Sequence, residues 1–180
     1  MIDMDALLAP IVAGDIALTQ LVESDREDLR AICPDDDAVW EIYPIHLSGE
    51  DFDREFSAIL NNPARQPFAI RVDGALAGIS GYLNIDAASG VAEIGGTYMT
   101  PAARGTGLNG RIKPLLLGRA FASGVQRIEF RIDARNTRSL RAVEKLGAVR
   151  EGLMRRQRRT WTGHFRDTVV LSILREEWQG

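Results

Sequence analysis

After a strand-dense section the hydrophobic period changes near residue 100, and that change restricts the fold more than any other feature. Before it, residues 67–72 and 76–85 read as strands flanking Asp73-Gly74, a strong hairpin signal, and residues 91–100 are a third candidate strand after Ser89-Gly90. Beyond it, residues 107–122 carry Ile112, Leu115, Leu116 and Phe121 at helical spacing, and residues 127–133 alternate as a strand. Residues 136–146 read as a helix with Gly147 as its C-terminal cap, and residues 148–156 are extended. A turn at Thr162-Gly163 leads into a final strand over residues 167–174. Pro114 lies inside the first helical pattern and predicts a kink there or a later helix start. Hairpins followed by strand–helix–strand–helix–strand predict an α/β sandwich around a mixed sheet.

The first sixty residues are less regular. Residues 16–22 read as a strand. Ser24 offers an N-cap, with Glu27 at the capping-box position, to a short helix ending near Pro34. The acidic stretch from Asp35-Asp36-Asp37 to Pro44 is expected to be a loop or short helix. Residues 51–61 are expected to be helical, with Phe52, Phe56, Ile59 and Leu60 on one stripe and a stop at Asn62-Pro63. No repeat or long linker divides the chain, and 180 residues suit a single domain, 1–180, with its core over about 15–178.

Composition removes several classes of function. Hydrophobic residues at 45% and charged residues at 26% are those of a soluble globular protein, and the apolar runs are too short to span a membrane. The beginning Met1-Ile2-Asp3-Met4-Asp5 is acidic where a targeting leader is basic, so a cytoplasmic location is expected. Cys33 is the only cysteine and His46 and His164 the only histidines, so neither a disulfide framework nor a metal centre is expected.

The net charge of −3 hides a division along the chain. Residues 1–100 hold 5 Arg and 18 Asp+Glu, whereas residues 101–166 hold 16 Lys+Arg and 4 Asp+Glu. A basic half suits an anionic ligand, and an acidic half suits a cationic one or simply pairs with the basic half. A pI near 5.5 argues against a nucleic-acid binder, because the field of the whole molecule repels a polyanion.

The densest chemical signal is Arg104-Gly105-Thr106-Gly107-Leu108-Asn109-Gly110, between a strand and a helix. Glycines there let backbone N–H groups approach an anion, and the helix N-terminus adds partial positive charge. The ordinary alternative is a tight turn. Gly105, Gly107 and Gly110 also satisfy a dinucleotide fingerprint, with Asp133 near the place of its ribose-binding acid. Against that, Pro101-Ala102-Ala103-Arg104 separate the loop from its strand, and no second set of parallel units follows. No Gly-Lys-Ser/Thr triplet marks a triphosphate loop.

Ala92-Glu93-Ile94-Gly95, the Arg-Gly-Thr-Gly loop, Asn136-Thr137-Arg138-Ser139, Lys145-Leu146-Gly147-Ala148 and Glu151-Gly152 fall in that order. With Arg166-Asp167-Thr168 and Glu176-Glu177-Trp178 they resemble the GNAT superfamily of acetyl-CoA-dependent N-acetyltransferases, in the RimJ/RimL-type branch. The resemblance implies a three-layer sandwich whose mixed, mostly antiparallel central sheet is splayed at the cofactor site. It implies acetyl-CoA as acetyl donor, no metal, and a primary amine as acceptor, either a protein N-terminal α-amine or a small molecule. It further implies that Arg104, Gly105, Thr106, Gly107, Leu108, Asn109 and Gly110 hold the pyrophosphate of CoA. Tyr98, Met99 and Thr100 would then pair with the pantetheine arm, Asn136 would contact it, and Ser139 would lie near the thioester sulfur. Ala102 departs from the Gln or Arg that often opens this loop. Because the loop binds through its backbone, binding is expected to survive. No membrane or nucleic-acid partner is implied, and a homodimer is compatible with the sequence.

Acetyl transfer to an amine requires a neutral amine and a proton for the departing thiolate. Glu93, a carboxylate in an apolar strand, is the candidate base; its ordinary reading is a salt-bridged or outward-facing strand residue. Ser139 is the candidate hydrogen-bond donor to sulfur, or else an ordinary residue of a helix first turn. Tyr98 is a second candidate proton donor, although an aromatic at a strand end commonly serves the core. Trp40, Tyr43, Trp161 and Trp178 are candidates to border a groove or to pack, and His46 to line an acceptor cleft or lie in a surface loop; His164 reads as structural or exposed and Cys33 as packing. Arg155-Arg156-Gln157-Arg158-Arg159 reads as a solvated strand edge or an acceptor rim. The alternative from another class is a non-catalytic acyl-CoA-binding or sensing domain.

Overall fold

The computed structural model describes residues 1–35 and 38–180, so Asp36 and Asp37 of the acidic stretch lie outside the described residues. In chain order the elements are α1 (Met4–Leu8), β1 (Ile11–Ala13), β2 (Ile16–Gln20), α2 (Arg26–Ala31), α3 (Phe52–Leu60), β3 (Arg65–Val72), β4 (Ala75–Asp86) and β5 (Val91–Met99). There follow α4 (Leu108–Ala122), β6 (Arg127–Asp133), α5 (Thr137–Glu144), β7 (Val149–Arg159) and β8 (Phe165–Leu174). All eight strands form one sheet in the order β1-β2-β3-β4-β5-β6-β8-β7. Among the described residues only β5 and β6 are parallel, and α4 makes the crossover that a parallel pair requires. No helix of the described residues is long and apolar enough to cross a membrane.

Helices cover both faces of the sheet. On one face Leu7 of α1, Ile112, Leu116 and Leu117 of α4 and Leu140 and Val143 of α5 pack with Phe68, Ile70, Tyr82, Ile94 and Ile128. On the other, Leu29 of α2 and Phe52, Phe56 and Ile59 of α3 pack with Ala69, Ile79 and Tyr98. Phe68, Ala69 and Ile70 are consecutive and alternate between the two cores, as a strand buried on both faces must. This is the expected three-layer sandwich.

Several local expectations change. The chain before Ile16 carries a helix and a strand that no pattern announced. Arg119 of α4 ties this segment down by donating to the carbonyls of Ala6 (2.7 Å) and Ala9 (3.0 Å). Ser24 is not the cap of α2: it lies inside a 3-10 turn, Glu23–Asp25, and Asp25 instead accepts the Val22 N–H at 3.0 Å. α4 begins at Leu108, before Pro114, and runs on through it. The proline lacks the N–H that the carbonyl of Gly110 would otherwise accept. The turn at Asp73-Gly74 has φ of 49° and 82°, the left-handed pair of a two-residue hairpin.

Strands β3 and β4 approach too closely for any side chain at Gly81. A Cβ there would lie 2.2 Å from the Gln66 carbonyl oxygen and 2.8 Å from Pro67 Cα, both backbone atoms. Gly81→Ala is therefore expected to destabilise the fold by about 3 kcal/mol, because neither strand can yield. A urea midpoint equal to the wild type's would contradict this contact.

Candidate active site

β5 and β6 pair over only three rows, Val91↔Arg127, Ala92↔Ile128 and Glu93↔Glu129, and then part. The opening lies at the C-terminal ends of a parallel pair, where open α/β sheets receive their ligands. A β-bulge on the other side of β5 shapes its lip. Ile79 opposes Tyr98 but Gly81 opposes Gly95, so Ser80 faces both Gly96 and Thr97. Gly96 has φ of 60°, a left-handed conformation that a Cβ disfavours. The extra residue reverses the side-chain alternation: Ala92 and Ile94 enter the α4 core, whereas Tyr98 enters the α2–α3 core.

The opening continues into a cleft of about 620 Å³. Of the residues singled out from sequence, Glu93, Tyr98, Met99, Arg104, Gly105, Gly107, Leu108, Asn109, Gly110, Asn136 and Ser139 line it. Thr100 and Thr106 instead line a separate hollow. Their hydroxyls build the loop: Thr100 Oγ1 accepts the Ala103 N–H at 3.2 Å, and Thr106 donates to the Ala103 carbonyl at 2.8 Å.

The loop is open to a ligand. Gly105 (φ 80°) and Gly107 (φ 86°) are left-handed, and nothing lies within 4 Å of where their Cβ atoms would be. Gly107 is the N-cap of α4, whose first N–H groups lack intrahelical partners. Asn109 Oδ1 is buried with no hydrogen-bond partner. Arg104 donates through Nε to the Met99 carbonyl at 2.9 Å, tying loop to strand end. The residues present thus fit the phosphate-rich end of CoA through open glycine backbone and a helix N-terminus. Asn136 Oδ1 accepts the Ser139 N–H at 3.0 Å, so it serves as the N-cap of α5.

Glu93 stands where β5 and β6 separate. Asn84 Nδ2 donates to its Oε2 at 2.9 Å, and Arg131 Nε lies 3.8 Å from the same atom. Asn84 holds φ of 49°, a conformation asparagine tolerates. Burial raises the pKa of Glu93 above the ordinary carboxylate value, and the Asn84 hydrogen bond and the positive charges of Arg131 and Arg158 only partly oppose it.

The tyrosines frame the opposite wall. Tyr98 stacks on Trp40, with ring centroids 5.0 Å apart, and its hydroxyl donates to the Ile32 carbonyl at 2.7 Å. That places its hydroxyl in the core and overturns the reading of Tyr98 as a proton donor. The Tyr43 hydroxyl donates to the Thr97 carbonyl and braces the bulge. Trp161 donates to the Trp40 carbonyl at 2.7 Å and stacks on His46 at 4.4 Å, while Trp178 packs on Phe121.

Sequence reasoning missed Lys113, taken only as one basic residue near the loop. It is 5% exposed and lines the cleft, with Nζ 2.7 Å from Thr97 Oγ1 and 3.1 Å from Ser80 Oγ. With no carboxylate opposite, desolvation holds its pKa down to about 7. It also missed Arg65 and Arg166, which join Arg158 in the lining.

Few ion pairs join the acidic and basic parts of the chain among the described residues. Among the described residues the salt bridges between residues 1–100 and 101–166 are Arg111 with Asp15 and Arg131 with Glu93. The seam between the two parts of the sheet, β1–β5 and β6–β8, is the cleft itself.

A mixed sheet parted beside its one parallel pair, with a glycine loop and a helix N-terminus over the gap, defines a scaffold for an extended ligand with an anionic end. Residues 15–149 match the family model described as an acetyltransferase (GNAT) domain, and the chain belongs to this family. It is an acyltransferase, and its chemistry is acetyl transfer to an amine. Similar structures include a GNAT-family protein from Chromobacterium violaceum ATCC 12472, 29% identical over 96% of this chain and 94% of that one, with a TM-score of 0.87. A GCN5-related N-acetyltransferase from Brucella melitensis is 25% identical over 95% of this chain and 80% of its own, with a TM-score of 0.83. RimJ of Mycobacterium smegmatis, in complex with CoA-disulfide, shares the fold at 21% identity over 96% of this chain and 88% of its own, with a TM-score of 0.79. No curated protein matches the sequence.

Proposed function

We propose that the protein moves the acetyl group of acetyl-CoA to a primary amine by direct attack in a ternary complex, with Glu93 as base. The observation that carries this reading is a desolvated carboxylate at the apex of the splayed strands. On this reading the glycine loop and the N-terminus of α4 hold the pyrophosphate, and the unpaired edge of β5 holds the pantetheine arm. The amine nitrogen bonds to the thioester carbonyl carbon, and the carbon–sulfur bond breaks. Glu93 takes the ammonium proton, directly or through water. Backbone N–H groups at the opened edge of β5 face the developing oxyanion. Ser139, in the first turn of α5, supplies a hydrogen bond to the departing sulfur, which takes up the second proton that the nitrogen loses as the tetrahedral intermediate collapses. The RimJ/RimL-type branch is supported by the closing Arg166-Asp167-Thr168 strand and the Glu176-Glu177-Trp178 end.

The thermal midpoint is the direct test of the cofactor. At a hundred times the dissociation constant, acetyl-CoA or CoA stabilises the native state by about 2.7 kcal/mol, a rise of roughly 5–10 °C for a domain of this size. NADH is expected to produce no shift. A rise with NADH alone would mean that the glycine loop holds a dinucleotide. Release of free thiol on adding amines separates a transferase from a domain that only binds acyl-CoA.

A further inference from the structure

Around Glu93 the cleft is more positive than a site for a polycation would be. Arg65 opens β3, Arg158 lies on β7 and Arg166 on β8, and all three line the cleft. None has a carboxylate within ion-pair distance among the described residues. Arg65 Nη2 lies over the bulge, 2.9 Å from where a Cβ of Gly96 would be. Arg166 is 7% exposed, and its hydrogen bonds go to neutral groups, Thr168 Oγ1 at 2.8 Å and the Arg131 carbonyl at 3.0 Å. Burial and the neighbouring charge of Arg158 lower the pKa of both Arg65 and Arg166, so the three guanidinium groups share one electrostatic neighbourhood with Glu93. The other carboxylate in the lining, Asp133, is engaged by Arg135 at 2.8 Å, and Arg131 is shared with Glu129 at 3.0 Å.

Arg166 is buried and Arg65 partly so, and the exposed Arg158 adds its charge beside them. Glu93, with Glu55 near Arg65 and Asp133 near Arg166, offsets part of this but pairs directly with none of the three, and leaving desolvated charges without a close counter-ion is costly. The planar fork of arginine matches the two oxygens of a carboxylate or phosphate. We propose that the acceptor is a small amine carrying its own oxyanion, a carboxylate or a phosphate, which Arg65, Arg158 and Arg166 hold while the amine faces Glu93. This rests on the acetyltransferase reading above and narrows it. The same positive surroundings disfavour an ammonium ion and so help present the acceptor as the neutral amine that attack requires. Part of the acidity of the first hundred residues, which suggested a cationic acceptor, is engaged away from the cleft, Asp25 by Arg71 and Asp53 by Arg26 and Arg30.

The test uses the intact protein, acetyl-CoA and matched amines. Amino acids are compared with their amides, which differ in the carboxylate, and O-phosphoethanolamine with ethanolamine, which differs in the phosphate. The anionic member of one pair is expected to be favoured in kcat/KM by roughly 10- to 100-fold. Which pair shows the preference distinguishes carboxylate from phosphate. Arg158→Gln, an exposed edge-strand change, is expected to reduce that preference at least several-fold through the acceptor KM, with acetyl-CoA affinity unchanged. Turnover favouring the neutral members or a polyamine, with acetyl-CoA still bound, would overturn the proposal while leaving the acetyltransferase reading intact. Loss of acetyl-CoA affinity in Arg158→Gln would assign the cluster to the cofactor and overturn it as well. Absence of any acetyl-CoA binding by the wild type would remove both.

Discussion

Replacing Lys113 with methionine is expected to raise the stability of the protein at pH 7 by about 2–4 kcal/mol. Lys113 is fully desolvated beneath the β5 bulge, and its pKa falls from 10.5 to about 7. Above pH 10.5 the amine is neutral in both folded and unfolded chains. Between about 10.5 and 7 the unfolded chain binds a proton that the folded chain refuses, so stability falls as the pH falls. Below about 7 both states are protonated and the penalty is constant. Each pKa unit is worth 1.36 kcal/mol, which sets an upper limit of roughly 4–5 kcal/mol, and the two hydrogen bonds lost with the amine offset part of it. Ser80 and Thr97 remain satisfied without lysine, because their hydroxyls lie 2.8 Å apart. Methionine is of similar length and carries no charge to desolvate. Urea unfolding of both proteins between pH 6.5 and 9.5 is the measurement. The wild type is expected to gain stability with rising pH relative to the variant, so that the two converge. Parallel pH curves, or a variant less stable at pH 7, would show that the lysine is not held neutral.

Glu93→Gln is expected to reduce kcat by about a hundredfold or more, the usual contribution of a positioned general base. The amide keeps the size of the side chain and can still meet Asn84, so acetyl-CoA affinity is expected to remain within a factor of two or so. A pH profile separates catalysis from structure. In the wild type the rate rises with pH as Glu93 loses its proton, and because burial raises its pKa, that limb lies above the ordinary carboxylate range. In the variant the limb disappears. A variant with unchanged kcat and an unchanged acid limb would mean that the amine enters already neutral and that Glu93 is structural.

Much of the architecture was legible because its signals are local. Residues 127–133 alternate and became β6 with those bounds; Asp73-Gly74 specified its hairpin; Phe52, Phe56 and Ile59 marked the buried stripe of α3. The N-terminal helix and β1 were missed because five and three residues are too few to establish a period. The glycine loop could be read because backbone conformation follows from the absence of a Cβ. Thr100 and Thr106 line the separate hollow because a side chain's direction depends on how a loop closes. Glu93 could be singled out as a charge in an apolar strand, but Arg65, Arg158 and Arg166 come from β3, β7 and β8 and meet only through the sheet.

The amino-acid order by itself determined which segments extend, which coil, and where the chain places an open glycine turn before a helix, since each depends on neighbours a few residues apart. Tertiary structure alone decided the parting of β5 from β6, the reversal of side-chain alternation at Gly96, and the burial of Lys113. It also decided that the basic and acidic portions leave a positive cleft between them. These depend on register between distant strands and on the exclusion of water, and neither exists until the sheet has closed.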